Sequence, residues 1–234
     1  GGFREAGDHP YQANAHMHLL EACMAWEEAG GDAGWSSLAD RLVALAFAAF
    51  IDPDAGFLRE FFSPDWTPAE GEDGTLVEPG HQFEWAWLLT RYGRSRGDDR
   101  ALAAATRLYA AGRSGVADRP AIVIDALNAD GSVRSRQARL WPQTEWLKAA
   151  LILAETASPK DRAALLDDAA TALRALWLYL TPEGLWHDKH LPGGGFVEEP
   201  APASSLYHIM AGFQQLAVSW PDVADDDEAR LGLD

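Results

Sequence analysis

Two pairs of residues repeat a spacing suited to proton transfer. His81 and Glu84 stand three residues apart, and so do His18 and Glu21. On a helix each pair shares one face. A helix N-terminus is electropositive and disfavours a charged imidazole. Histidines placed there are expected to sit neutral near pH 7, ready to accept a proton. A neighbouring carboxylate orients such a ring and pulls its pKa back up. His208 takes the matching place in a later segment, so His18, His81 and His208 form a candidate acid/base set. His9, His16, His187 and His190 read as structural histidines.

A metal is the competing reading. Glu-x-x-His on paired helices is a di-iron pattern, here reversed to His-x-x-Glu, and two facing pairs could hold iron or manganese. The later segments do not repeat the pair: they offer Gln143 and Glu145, then His208 alone. Glu21, Glu84 and Glu145 come one per segment, without the clustered carboxylates a hard cation wants. The lone Cys23 argues against a thiolate zinc site. The expectation is no metal and no cofactor. The chain has 10 tryptophans, and flat aromatic faces suit the apolar side of a sugar ring. Trp141, just ahead of its helix, is expected to touch ligand; Trp87 and Trp146 are expected in the core.

The elements that position these residues form an internal repeat. Glu21, Glu84, Glu145 and His208 mark four similar segments at steps of 63, 61 and 63 residues. Each leads into apolar residues at helical spacing, such as Leu147 and Leu151. Second helices lie between them: Leu38 to Phe50, Ala101 to Ala111, and about Lys160 to Leu180, the last with Ser158 as N-cap and Pro159 at N1. Short extended stretches follow at Gly56–Phe62, Ala121–Asp125 and Gly184–Lys189. The pattern predicts an all-α chain of about seven helices, three pairs and one unpaired inner helix. Helix pairs repeating at this length build a solenoid or a closed α/α toroid. In a toroid the inner helices point one way and their N-termini line one mouth. Residues 1–220 read as one domain and 221–234 as an acidic, flexible tail.

Composition narrows the classes further. With 234 residues and an apolar fraction of 47%, the chain buries a core and is not disordered. Nineteen basic against 36 acidic residues give a net charge of −17. That average field repels nucleic acid and anionic membranes, so neither is expected as a partner. A small-molecule sugar is the expected partner, and a homodimer stays open. The longest apolar run, Leu42 to Ile51, is too short to span a bilayer. No signal peptide is read at the start, which is Gly1 rather than Met. Cys23 is expected as a buried small apolar residue in a reduced, cytoplasmic setting.

Five segments carry a family resemblance: Asn14-Ala-His-Met-His-Leu-Leu-Glu-Ala, Glu78-Pro-Gly-His-Gln-Phe-Glu-Trp-Ala-Trp, Arg139-Leu-Trp-Pro-Gln-Thr-Glu, Gly184-Leu-Trp-His-Asp and Pro202-Ala-Ser-Ser-Leu-Tyr-His. In this order they resemble the N-acylglucosamine 2-epimerase superfamily, which includes N-acetylglucosamine and cellobiose 2-epimerases and mannose isomerases. The resemblance implies an (α/α)6 barrel, here without its N-terminal helix pairs. It also implies metal-independent proton transfer through a cis-enediolate. By the motif match, His81 and His208 are the catalytic acid/base pair. Asn14, His18 and Glu84 would bind or polarise the sugar, with Trp141 and Glu145 lining the cleft. Aldose–ketose isomerisation of the mannose/fructose type is the leading expectation, with N-acylglucosamine or cellobiose 2-epimerisation as the alternative. A non-catalytic carbohydrate-binding helical module is the reading from another class.

Overall fold

The computed structural model describes residues 2–231, with side chains described for residues 2–219. Among the described residues there are seven α-helices: α1 (Ala13–Glu28), α2 (Ala33–Leu45), α3 (Pro79–Arg96), α4 (Asp99–Arg113), α5 (Trp141–Ala154), α6 (Pro159–Tyr179) and α7 (Ser205–Leu231). Helix α2 continues into a π-helical turn, Ala46–Phe50. The expected pairs form: α1 packs on α2, α3 on α4 and α5 on α6. The inner helices also pack on one another, α1 on α3, α3 on α5 and α5 on α7. The short strands are all antiparallel. Strands β1 (Leu76–Val77), β2 (Ala126–Asn128) and β3 (Val133–Ser135) form one sheet, and β4 (Ala138–Arg139) pairs with β5 (Lys189–His190). Among the described residues no helix is long and apolar enough to cross a membrane. The side chains of the acidic segment 221–234 lie outside the described residues, though helix α7 runs into it as far as Leu231.

Inner and outer helices differ in a way the sequence explains. Helix α4 buries one stripe, Ala101, Ala104, Ala105, Leu108, Tyr109 and Gly112, at the spacing of a helix with one wet face. Helices α3 and α5 are buried nearly all round, with Trp85, Leu88 and Phe83 in one and Trp146, Leu147 and Leu151 in the other. The outer helices begin on capping side chains: Asp32 accepts from Gly34 N, Asp98 from Arg100 N and Ala101 N, and Ser158 from Asp161 N. The inner helices α1, α3 and α5 begin without a side-chain cap.

Two buried glutamines tie the extended stretches to the inner helices. Gln82 accepts from Leu58 N (2.7 Å) and donates to Leu58 O (3.0 Å). One repeat later, Gln143 accepts from Val123 N (2.8 Å) and donates to Val123 O (2.9 Å). Each amide pairs with a backbone as a neighbouring strand would. Gln143 is thereby committed to the fold, not to a ligand. Trp146, Trp87 and Cys23 are in the core as expected. His16 is buried between Phe3 N and Gln12 O, a satisfied structural histidine.

Candidate active site

The N-terminal ends of the inner helices meet at one mouth. Asn14 and His18 arrive on α1, His81 and Glu84 on α3, Trp141 as the first residue of α5, and His208 on the first turn of α7. Together with Glu60, Glu78, Arg139 and Asp188 they line a cavity of about 540 Å³. That volume suits a small polar ligand. Gly80 is what lets Trp141 lie against the start of α3: a Cβ there would stand 2.5 Å from the indole ring. The indole sits between the two key imidazoles, its centroid 5.0 Å from the His81 ring and 5.6 Å from the His208 ring.

His81 is held by residues other than the expected one. Its Nδ1 bonds Glu60 Oε2 at 2.8 Å and lies 3.4 Å from Glu78 Oε2. Glu84 shares its helix but not its hydrogen bond. The carboxylate effect expected on such a ring outweighs that of the helix terminus. Burial opposes charge on the ring, but the charges of Glu60 and Glu78 and the Glu60 hydrogen bond outweigh it and raise the pKa to about 10. Arg139 ties the same corner together, 3.3 Å from Glu78 and 3.0 Å from Asp125, with its guanidinium over the Trp141 ring.

His208 has a carboxylate of its own. Its Nδ1 lies 2.9 Å from Glu145 Oε1. Glu145 is fully covered and is not among the lining residues, contrary to expectation; it reaches the cavity through His208. Its other oxygen, Oε2, accepts from Lys148 Nζ at 2.8 Å. Burial pushes the Glu145 carboxyl up, but the Lys148 charge and the His208 hydrogen bond prevail and lower it to about 2. Since this carboxylate only accepts, the His208 Nδ1 must donate, which leaves Nε2 as the nitrogen not engaged by Glu145.

His18 and Glu84 form the floor between these corners. His18 Nδ1 lies 3.6 Å from Glu84 Oε1, and its ring is 6.3 Å from that of His208. Burial first, then the charges of His208 and His81, lower His18 to about 4, so it is neutral near pH 7. Both Glu84 oxygens are buried without a hydrogen-bond partner among the described residues. Burial, followed by the charge of Glu145, raises the Glu84 carboxyl well above its ordinary value. Two sets of residues bring ligand atoms within 4.8 Å of one another and could hold a cation: His18, Glu21 and Glu84, or Glu84, Glu145 and His208. Glu21 is partly engaged, bonding the Tyr207 hydroxyl.

Sequence reasoning missed Glu60, Lys148 and Asp188, and gave no role to Glu78 or Arg139. Glu60 carried a legible signal. In Leu58-Arg-Glu-Phe-Phe62, alternate residues Leu58, Glu60 and Phe62 are buried, so period two places a carboxylate in an inward row. Lys148 interrupts the apolar run Trp146-Leu-Lys-Ala-Ala-Leu-Ile-Leu, and a charge in such a run needs a partner.

Comparison with known proteins agrees with this layout. The sequence profile of the N-acylglucosamine 2-epimerase (GlcNAc 2-epimerase) family matches residues 2–212. The chain belongs to this family. A mannose-6-phosphate isomerase of Rhizobium meliloti (strain 1021) is 47% identical over 212 residues, covering 88% of this chain and 55% of the relative. A D-mannose isomerase of Thermobifida fusca is 29% identical over 225 residues, covering 86% of this chain and 53% of the relative. Among solved structures, a D-mannose isomerase superposes with a TM-score of 0.77 at 20% identity, over 92% of this chain and 56% of the other. Cellobiose 2-epimerase from Spirochaeta thermophila DSM 6192 gives 0.72 at 22%, over 93% and 56%. The fold is therefore that of (α/α)6 barrel proteins, and this N-acylglucosamine 2-epimerase family chain spans a little over half the length of these relatives.

Proposed function

We propose that the site interconverts an aldose and a ketose of the mannose/fructose type by proton transfer through a cis-enediolate. The observation that carries this reading is the pair of imidazoles either side of Trp141, each held through Nδ1 by a buried glutamate. The hydrogen next to a sugar carbonyl is weakly acidic. Its removal needs a base and a donor for the oxyanion that develops. His208 Nε2 takes the C2 proton, and that C–H electron pair becomes the C1=C2 bond. The carbonyl pair moves onto O1, which takes a proton from the His81 imidazolium. His208 then returns its proton to C1, the O2–H proton passes to His81, and the C2 carbonyl forms. Both histidines end as they began. Asn14, His18 and Glu84 hold hydroxyls, the last through oxygens that have no hydrogen-bond partner among the described residues. Trp141 supports the ring, and Glu145 orients His208. The step uses neither metal nor cofactor.

The relatives' names point to a mannose-type sugar, free or phosphorylated. The cations at the cavity favour the free sugar. Arg139 is already paired with Glu78 and Asp125, and Lys189 with Glu199 at 2.6 Å, so neither offers an uncommitted charge to a phosphate. Epimerisation at C2 is the second reading, supported by the family profile; it needs proton transfer on both faces of C2, with His81 serving the second. Incubation with mannose, mannose 6-phosphate, N-acetylglucosamine and cellobiose in deuterated water separates these. Ketose carrying deuterium at C1 from mannose supports the proposal. Deuterium at C2 without ketose supports epimerisation. Binding of sugar with no exchange would leave a carbohydrate-binding module and overturn the enzyme reading.

A further inference from the structure

The three extended stretches carry one acid each at repeat spacing: Glu60, Asp125 and Asp188, at steps of 65 and 63 residues. Each acid reaches the start of the next inner helix. Glu60 accepts from Glu78 N, just ahead of α3, at 3.4 Å, and bonds His81. Asp125 accepts from Arg139 N, two residues ahead of Trp141, at 2.9 Å. Asp188 accepts from the hydroxyl of Ser205, the first residue of α7, at 3.2 Å. The third latch differs from the first two. Gln82 and Gln143 clamp the first two stretches at Leu58 and Val123, two residues before the acid. Helix α7 has no glutamine ahead of Gln214, so its start has no such clamp. Asp188 and Ser205 are both buried, and a carboxylate at that depth is costly unless it is bonded. The backbone carbonyl of Asp188 also accepts from Leu140 N, next to Trp141, at 2.8 Å. One residue thus joins the segment that carries Trp141 to the helix that carries His208.

We propose that Asp188 is a positioning residue for His208: through Ser205 it fixes the first turn of α7, and with it the place of the imidazole beside Trp141. Ser205 and His208 stand three residues apart, on one face of that turn. The ring has two contacts to keep, both with α5. Its Nδ1 lies 2.9 Å from Glu145 Oε1, and its centroid lies 5.6 Å from that of Trp141. Both hold only while the start of α7 stays in register with α5. Glu145 orients the ring, and the Asp188–Ser205 bond sets where the helix brings it. A misplacement of about 1 Å in a reacting group can cost about 10²-fold in rate. Asp188 and Ser205 also line the cavity, but they act through His208 rather than by holding sugar. The proposal rests on the reaction assigned above for its effect on turnover but not for its physical test.

The test is a double-mutant cycle of Asp188→Ala and Ser205→Ala. It is read by steady-state kinetics and by the nuclear Overhauser effect between the Trp141 and His208 rings in the unliganded protein at one pH. Each single variant lowers kcat by about ten- to a hundredfold, leaves KM little changed and weakens the ring-to-ring signal. The double variant is no worse than either single, because both remove the same bond. Asp188→Asn, whose amide oxygen still accepts from Ser205, restores kcat and the signal. Where Asp188→Ala does not fold, Ser205→Ala set against Ser205→Thr, which keeps the hydroxyl, carries the same comparison. A KM that rises while kcat holds would make Asp188 a sugar ligand and overturn the proposal. Additive losses in the double variant, or an unchanged ring-to-ring signal in the folded single variants, would overturn it too. That signal is read without substrate, so its failure is distinct from failure of the isomerase reading.

Discussion

The two histidine corners have the same plan and different neighbours around the glutamate. In each, an imidazole near the start of an inner helix gives its Nδ1 to a buried glutamate, at 2.8 Å for His81 and 2.9 Å for His208. At the His81 corner a second carboxylate, Glu78, stands 3.4 Å from the same nitrogen. At the His208 corner the glutamate's other oxygen holds an ammonium instead. Position comes from the helix in both, while the charges around each glutamate differ. On the proposed reading His81, whose pKa its carboxylates raise, is the acid and His208 the base.

The sharpest way to break this comparison is His208→Ala. It should cost at least about 10²-fold in kcat, the usual scale for losing a general base, and hydrogen–deuterium exchange at C2 should disappear with it. Activity retained within about tenfold would mean that another group is the base. Glu60→Gln tests the other corner with a smaller effect. It removes the nearer of the two carboxylates that hold His81 charged, so the alkaline limb of kcat should move to lower pH. The same variant has a stability signature. His81 has a folded pKa near 10, above its ordinary 6.5, so its contribution is present below about 6.5 and is lost as pH rises towards 10. Chemical denaturation at pH 7 and pH 9.5 should show that loss in the parent and much less of it in Glu60→Gln.

Glu145 runs the opposite way and gives the matching control. Its folded pKa near 2 lies below the ordinary 4.5, so its contribution is present above about 4.5 and is lost as pH falls towards 2. Two substitutions of smaller effect sharpen the contrast between inner and outer ends. Gly80→Ala places a methyl against the Trp141 ring and should cost about 1–3 kcal/mol by overpacking, with a raised KM as the indole between the histidines moves. Asp98→Ala removes the cap of α4, on the outer layer. It should cost about 1 kcal/mol of stability and leave KM and kcat unchanged, as thermal melts and steady-state kinetics would report.

Much of this was legible in the sequence because it is local or periodic. The helix pairs follow from apolar spacing, and the Ser158 and Pro159 start of α6 from capping chemistry. His18, His81, Trp141 and His208 share one cavity because repeat spacing places them at equivalent helix starts. What stayed hidden is the pairing across the chain. The His81–Glu60 bond joins residues 21 apart through an extended segment whose inward row includes Glu60, and helical spacing pointed to Glu84 instead. The size of the carboxylate effect on His81 was hidden for the same reason. A helix terminus lowers an imidazole pKa modestly, whereas two carboxylates in a water-poor corner act much more strongly. Lys148 was passed over because a lysine in a helix is usually a solvated one.

The central claim is that each of the two histidines is held through Nδ1 by a buried glutamate. Nitrogen-15 spectra of the imidazoles in the unliganded protein, assigned with His81→Gln and His208→Gln, test it directly. The account predicts that Nδ1 of both rings carries a proton shared with its glutamate, Glu60 or Glu145. A bare Nδ1 on either ring would contradict it.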